Sequence, residues 1–290
     1  MIRNPSRFII AAALLASACA PGDENAAASP AADAAAAGPR IPIAPTAADA
    51  LPAAVLGTAP PPMGSAVHYF PADSATTGYL AVPEGAGPFP ALILVHEWNG
   101  LGDRVRQVAD ALAAEGYIAL AADLFSGRTG SNAEENMALV NEVNADAATM
   151  IANLNAAVAL LRARPDVSGK IGAMGWCFGG GVALSFGLDG VNHDATAIFY
   201  GRLVDDPARL ATLSHEIYGT FAGLDQGITR EQVDGFAGAL RAAGIPNDIH
   251  VYDDVQHGFW LWVDRDPEVV TAPALDAWQR LKAYLARTLR

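Results

Sequence analysis

Cysteine is nearly missing from this chain. Two stand in 290 residues, Cys19 and Cys177, too few for a disulfide framework or for a cysteine-based structural zinc site. Positive charge is scarce as well: Lys and Arg number 18 against 31 Asp and Glu, a formal net charge of −13. No segment gathers enough basic residues to attract a phosphate backbone, which excludes nucleic-acid binding. Charged residues of either sign make up 17% of the chain, whereas 52% is hydrophobic, so a sizeable core can be buried and the chain as a whole is not disordered. No internal repeat is present, and the length suits one large α/β domain with a tail.

The tail is at the N-terminus. Arg3 and Arg7 precede an unbroken apolar run over residues 8–15, and the small residues Ala16, Ser17 and Ala18 stand directly before Cys19. A helix needs about 20 apolar residues to span a bilayer, so this run reads as a signal peptide over residues 1–18 and stays outside the fold. It resembles a bacterial lipoprotein signal. That resemblance implies a lipidated Cys19 and an exported, periplasmic protein that meets the membrane only through its anchor. The position three before the cysteine is Ala16 rather than the usual Leu, and Ala16-Ser17-Ala18 also suits ordinary signal peptidase, so a soluble periplasmic form is the alternative. Residues 19–63 come next. Nine of the twelve residues 26–37 are Ala, and Pro39, Pro42, Pro45, Pro52, Pro60, Pro61 and Pro62 punctuate the rest. Repeated Pro blocks a continuous helix and few large apolar groups are available to bury, which predicts a disordered, semi-extended tether leading to one domain over residues 64–290.

Within the domain short β-rich runs alternate with helical patterns. Strands are expected at 67–70, 78–82, 91–96, 117–121, 170–174, 195–200, 216–222 and 248–252, and helices at 105–115, 133–164, 180–188, 230–243 and 272–288. Residues 91–96 form a solid apolar run of the kind buried on both faces of a sheet. This alternation predicts an α/β fold with a mostly parallel central sheet and helices on both faces, whose chemistry gathers beyond the carboxyl ends of the strands.

One of those ends carries Gly175-Trp176-Cys177-Phe178-Gly179, followed by Gly180, Gly181 and a helix. This is a G-x-nucleophile-x-G turn in strand-turn-helix context. The nucleophile occupies a strained turn, and a side chain two residues before or after it would strike neighbouring backbone, which glycine avoids. Cys177 then sits at a helix N-terminus, where partial positive charge favours thiolate, and the N–H of Phe178 points where an oxyanion would form.

With these residues the chain resembles the dienelactone hydrolase family of α/β-hydrolases. The resemblance is carried by Val95-His96-Glu97-Trp98-Asn99-Gly100-Leu101, by the turn at 175–179, by Asp225 after the penultimate strand, and by Gln256-His257-Gly258-Phe259 after the last. The order of nucleophile, acid and histidine suits Cys177, Asp225 and His257; Asp253 and Asp254 lie too close to His257 in sequence to match the usual architecture. A carboxylate directly after a buried strand is costly unless partnered, and the expected partner of Glu97 is the thiol or its histidine. The resemblance implies more: Glu97 holds the resting Cys177 thiol and helps it ionise, and the N–H of Trp98 completes the oxyanion hole. It also implies a small-molecule ester or lactone as substrate.

The chain departs from the family in its arginines. Those that grip a substrate carboxylate fall in the segment after the fourth strand and just beyond the catalytic histidine. Here Gly258, Phe259, Trp260 and Leu261 follow His257, and no arginine stands between Arg128 and Arg162. Trp98, Phe125, Trp176, Phe178, Phe259 and Trp260 therefore suggest a more apolar pocket, with Arg128 as the candidate anion contact. His68, His193, His215 and His250 lack ligand spacing, so no metal site is expected, and no cofactor is called for. Two other readings stand beside hydrolysis: a lipid-anchored binding protein on a silent scaffold, and a thiol redox protein, which would lack a resolving cysteine.

Overall fold

A computed structural model describes residue 1 and residues 38–290. The expected signal peptide beyond residue 1, Cys19 and the expected tether up to residue 37 lie outside the described residues. The strands are β1 (Arg40–Ile41), β2 (Ser65–Val67), β3 (Gly78–Pro83), β4 (Phe89–Val95), β5 (Ile118–Ala122), β6 (Val167–Trp176), β7 (Ala195–Phe199), β8 (Ile217–Ala222) and β9 (Asn247–Tyr252). The helices are α1 (Asp103–Ala114), α2 (Ala133–Ala145), α3 (Ala147–Arg162), α4 (Phe178–Asp189), the single-turn α5 (Pro207–Leu210), α6 (Arg230–Ala242) and α7 (Pro267–Leu289). They make one sheet in the order β1-β3-β5-β4-β6-β7-β8-β9, with β2 off the path on β3. Every neighbouring pair from β5 to β9 is parallel, while β3 runs antiparallel to β5 and to β2.

The apolar run of β4 explains its central place. Side chains alternate across a strand, so Leu92 and Leu94 enter one core with α1 and α7, while Ala91, Ile93 and Val95 enter the other with α2, α3 and α4. A third cluster seats α6 on β7 and β8 through Phe236, Leu240, Ile198 and Phe221. The parallel register brings the carboxyl ends of β4, β6, β8 and β9 to one edge, where the candidate residues follow.

Three expectations from sequence need correction. The helix expected at 133–164 is two helices. Asp146, at φ −128° and ψ 69°, leaves the helical region and caps α3, its carboxylate accepting from the N–H of Thr149 at 3.0 Å, as a short polar side chain does when it competes with the backbone. The last helix begins at Pro267 rather than near 272, because Pro267 fits the first turn and Pro273 is accommodated in the helix interior.

The third concerns the tether. Residues 40–63 are not a free tether. Ile41 extends β3 in parallel, and Ile41, Leu51, Ala54 and Val55 are buried against the core that holds α1 and α7. Few apolar residues suffice because each finds a groove, and an extended Pro-rich backbone leaves its carbonyls free for side chains of the domain. Thus Arg104 donates to Ala54, Gln107 to Pro60 at 2.8 Å and Lys282 to Thr46 at 3.1 Å.

Candidate active site

The strand β6 delivers Cys177 at a sharp turn into α4. Its φ of +56° lies in the left-handed region that a side chain rarely adopts, which is local backbone strain at the residue expected to react. The turn closes only because its flanks are glycine. A Cβ on Gly175 would lie 2.2 Å from the carbonyl oxygen of Gly179, and one on Gly179 would lie 2.2 Å from that of Val95. The N–H of Cys177 is tied to the carbonyl of Phe199 at 3.0 Å, and its side chain is half-buried.

His257 follows β9, and its Nδ1 lies 2.6 Å from Oδ2 of Asp225, which follows β8. That pairing leaves Nε2 for the thiol. The other carboxylate oxygen of Asp225 accepts from the N–H groups of Gly227 at 2.8 Å and Ile228 at 3.1 Å. Burial works against the Asp225 charge, but His257 and these N–H groups hold its carboxyl below the usual carboxylate range. Burial likewise opposes charge on His257, but Asp225 and Cys177 outweigh it and push its pKa up to about 10. The ring of Tyr200 stands edge-on to His257 at 4.9 Å between centroids, and Tyr200 itself has a φ of +40°.

Glu97 is buried at the end of β4. Its Oε2 accepts the indole N–H of Trp262 at 2.7 Å, and no hydrogen bond joins it to the Cys177 thiol, so the pairing with the thiol expected from sequence is not the one present. Burial pushes the Glu97 carboxyl up, against the opposing influence of Trp262, Arg265, His257 and Arg104. His96 fixes this loop. Its Nδ1 lies 2.6 Å from the carbonyl of Glu97, and its Nε2 accepts the N–H of Leu124 at 3.2 Å, an arrangement that requires a neutral ring; burial lowers its pKa in the same sense. The backbone N–H groups of Trp98 and Phe178 are taken by no other group among the described residues.

Cys177, His257, Trp98 and Phe178 open onto a cavity of about 760 Å³. Its apolar wall comes from Met137 and Val140 of α2, Met150 of α3, Val182 of α4, and Leu203 and Val204 after β7. Among the described residues lining it there is one arginine, Arg202, and no Asp or Glu.

The structure thus brings together Cys177, His257, Asp225, Glu97, Trp98 and Phe178, but the other expected pocket residues lie elsewhere. Trp176, Phe259 and Trp260 belong to the core shared with α1 and α7, where Trp176 and Trp260 stack at 5.9 Å. Trp176 is the last residue of β6, and its side chain enters that core, so closeness to Cys177 in sequence does not carry it to the cavity. Phe125 is buried in the second core between His96 and Phe178. Arg128 is held bidentate by Glu142 at 2.9 and 2.6 Å and lines a separate cleft. Sequence reasoning missed Tyr200 and Arg202, and it missed the bond of Trp262 to Glu97. Only Tyr200 carried a signal, as the residue ending an apolar strand at the active edge.

A twisted, mostly parallel sheet with a nucleophile turn after a central strand, and an acid and a histidine after later strands, defines an α/β-hydrolase. The solved structures agree. A "Putative Dienelactone Hydrolase" from Klebsiella pneumoniae superposes with a TM-score of 0.62 at 26% identity, over 73% of this chain and 92% of that one. Dienelactone hydrolase from Anabaena variabilis has the same fold, with a TM-score of 0.57 at 22% identity over 78% and 97% of the two chains. Residues 76–289 match the dienelactone hydrolase family, and the chain belongs to it; it is a hydrolase of that family. Among curated relatives, a "Putative carboxymethylenebutenolidase" of Methylorubrum extorquens is 31% identical over 225 residues, 73% of this chain and 77% of the relative. A protein of the same description from Escherichia coli K12 is 27% identical over 256 residues, 76% and 90% of the two chains.

Proposed function

We propose that this hydrolase cleaves small carboxylic esters or lactones through a Cys177-His257-Asp225 triad and a covalent acyl-enzyme. The observation that carries the reading is a strained Cys177 at the mouth of an apolar cavity beside a His257 clamped by Asp225 at 2.6 Å. His257 Nε2 takes the thiol proton, Asp225 and the thiolate so formed favour the imidazolium, and the Glu97 carboxylate adds to them. The thiolate adds to the substrate carbonyl, and the oxyanion is received by the N–H groups of Phe178 and Trp98. Collapse breaks the ester C–O bond, and the leaving alkoxide takes its proton from His257. Water, losing a proton to His257, then attacks the thioester and frees the acid as Cys177 recovers its proton. The apolar wall favours a less polar acyl group than a carboxylate-bearing dienelactone, because among the described residues Arg202 alone, and no pair of arginines, lines the cavity. Acid quenching during turnover of p-nitrophenyl butyrate is expected to leave butyrate on the Cys177 peptide, read by mass spectrometry. Acylation of a different residue, or no cleavage of any ester, thioester or lactone, would overturn the reading.

The same proposal places the protein outside the cytoplasm on a lipid at Cys19. What supports it is the order of Arg3 and Arg7, the apolar run and the small residues before that cysteine. Cys19→Ser is expected to move the protein from the membrane to the soluble fraction, with hydrolysis by the domain intact. Retention of that variant on membranes sinks the anchor.

A further inference from the structure

The Glu97 carboxylate, on which the proposed mechanism draws, depends on a structure outside the triad. Trp262 reaches it from the turn after β9, across 165 residues of sequence. Its indole is flanked by two guanidinium groups, Arg104 at 4.5 Å and Arg265 at 4.2 Å from the ring centroid. Arg104 is itself fastened, donating to Asp264 at 2.7 Å and to the carbonyl of Ala54. The next residue along, Val263, donates its N–H to the carbonyl of Val55 at 3.2 Å. Residues 54 and 55 precede the segment that matches the family, which begins at 76, so this brace lies outside it. Arg265 has no ion pair among the described residues, and its charge favours the Glu97 anion.

We propose that Trp262 is a positioning residue: held between Arg104 and Arg265 and braced by residues 54–55, its indole N–H fixes the Glu97 carboxyl beside His257 and favours its anion. A buried carboxylate with one strong donor is stabilised as the anion, and without that donor it escapes the cost of burial by taking up a proton. The N–H is a donor that does not titrate, so it favours the Glu97 anion without itself changing state. The ring's cationic neighbours strengthen the effect by adding positive potential along the same line.

This inference rests on the reading of Glu97 as part of the catalytic site, and the test separates the two. Trp262→Phe keeps an aromatic ring for both arginines but removes the donor. The carboxyl of Glu97, followed by isotope-edited infrared titration of the full chain, is expected to titrate about one to two pH units higher in that variant. The sign follows from losing a group that favours the anion. The acid limb of kcat/KM for p-nitrophenyl butyrate should move up with it, so that activity on that limb falls about tenfold and recovers at higher pH. Arg265→Gln, at an exposed position, should shift both readings the same way by less, which serves if Trp262→Phe folds poorly. An unmoved Glu97 titration in both variants overturns the proposal whatever the activity does. A moved titration with an unmoved pH profile keeps the role of Trp262 and removes Glu97 from the catalytic reading instead.

Discussion

Replacing Cys177 with Ala is expected to lower kcat on p-nitrophenyl esters by about 10³-fold or more, and replacing His257 with Ala by a similar factor. In the proposed mechanism the thiol forms the acyl-enzyme and the imidazole takes the thiol proton, so either loss removes a chemical step. Asp225→Asn should cost less. An amide can still hold the ring by a hydrogen bond, but it withdraws one of the two charges that raise the His257 pKa to about 10. Because the three act as one unit, Cys177→Ala with His257→Ala should be little worse than the poorer single variant. Steady-state rates of the three single variants and the double one check this. A His257→Ala enzyme that keeps near-wild-type kcat, or losses that multiply in the double variant, would contradict a shared chemical step.

The largest effect on stability is expected from a single methyl group. Ala at position 179 places a Cβ 2.2 Å from the carbonyl oxygen of Val95 and 2.4 Å from that of His96. These are backbone atoms at the end of β4, which is paired on one side with β5 and on the other with β6, so neither can step aside. Gly179→Ala should therefore cost about 3 kcal/mol or more, roughly 6–12 °C in Tm, and displace Cys177 as well. The same substitution at Gly235 of α6 meets nothing within 4 Å and should be neutral or stabilising by up to about 1 kcal/mol. Thermal unfolding of the two variants decides the matter. Equal Tm values would show that the turn accepts a side chain.

The parts of this molecule that were legible in sequence are those specified locally. The run Phe89–Val95 announces a buried strand because nearly every residue is apolar, and the glycines around Cys177 announce the turn because backbone contact demands them. Asp225 and His257 were found because topology places them just beyond strand ends. The cavity wall was not legible, since α2, α3 and the turn after β7 meet there only through tertiary packing. Large aromatics near the motifs misled for the same reason: Trp176 and Trp260 face the core, which takes them for their area, and not the substrate. Sequence suggests the thiol or its histidine as the partner of Glu97, but a donor 165 residues away holds its carboxylate and no local pattern predicts it. The segment over residues 40–63 was misjudged by composition, which counts apolar residues without knowing that Ile41 and Val55 each find a groove.

The two sides of the cavity are built to different tolerances. Below the thiol, backbone meets backbone with no slack at Gly175 and Gly179, whereas above it α2 buries only Asn136, Leu139 and Val140 of its 13 residues. Opening α2 breaks few contacts, while moving the turn breaks the central sheet. In the proposed mechanism, acyl groups of different bulk would then be admitted by yielding on the α2 side, with Cys177 and the N–H groups of Trp98 and Phe178 left in register.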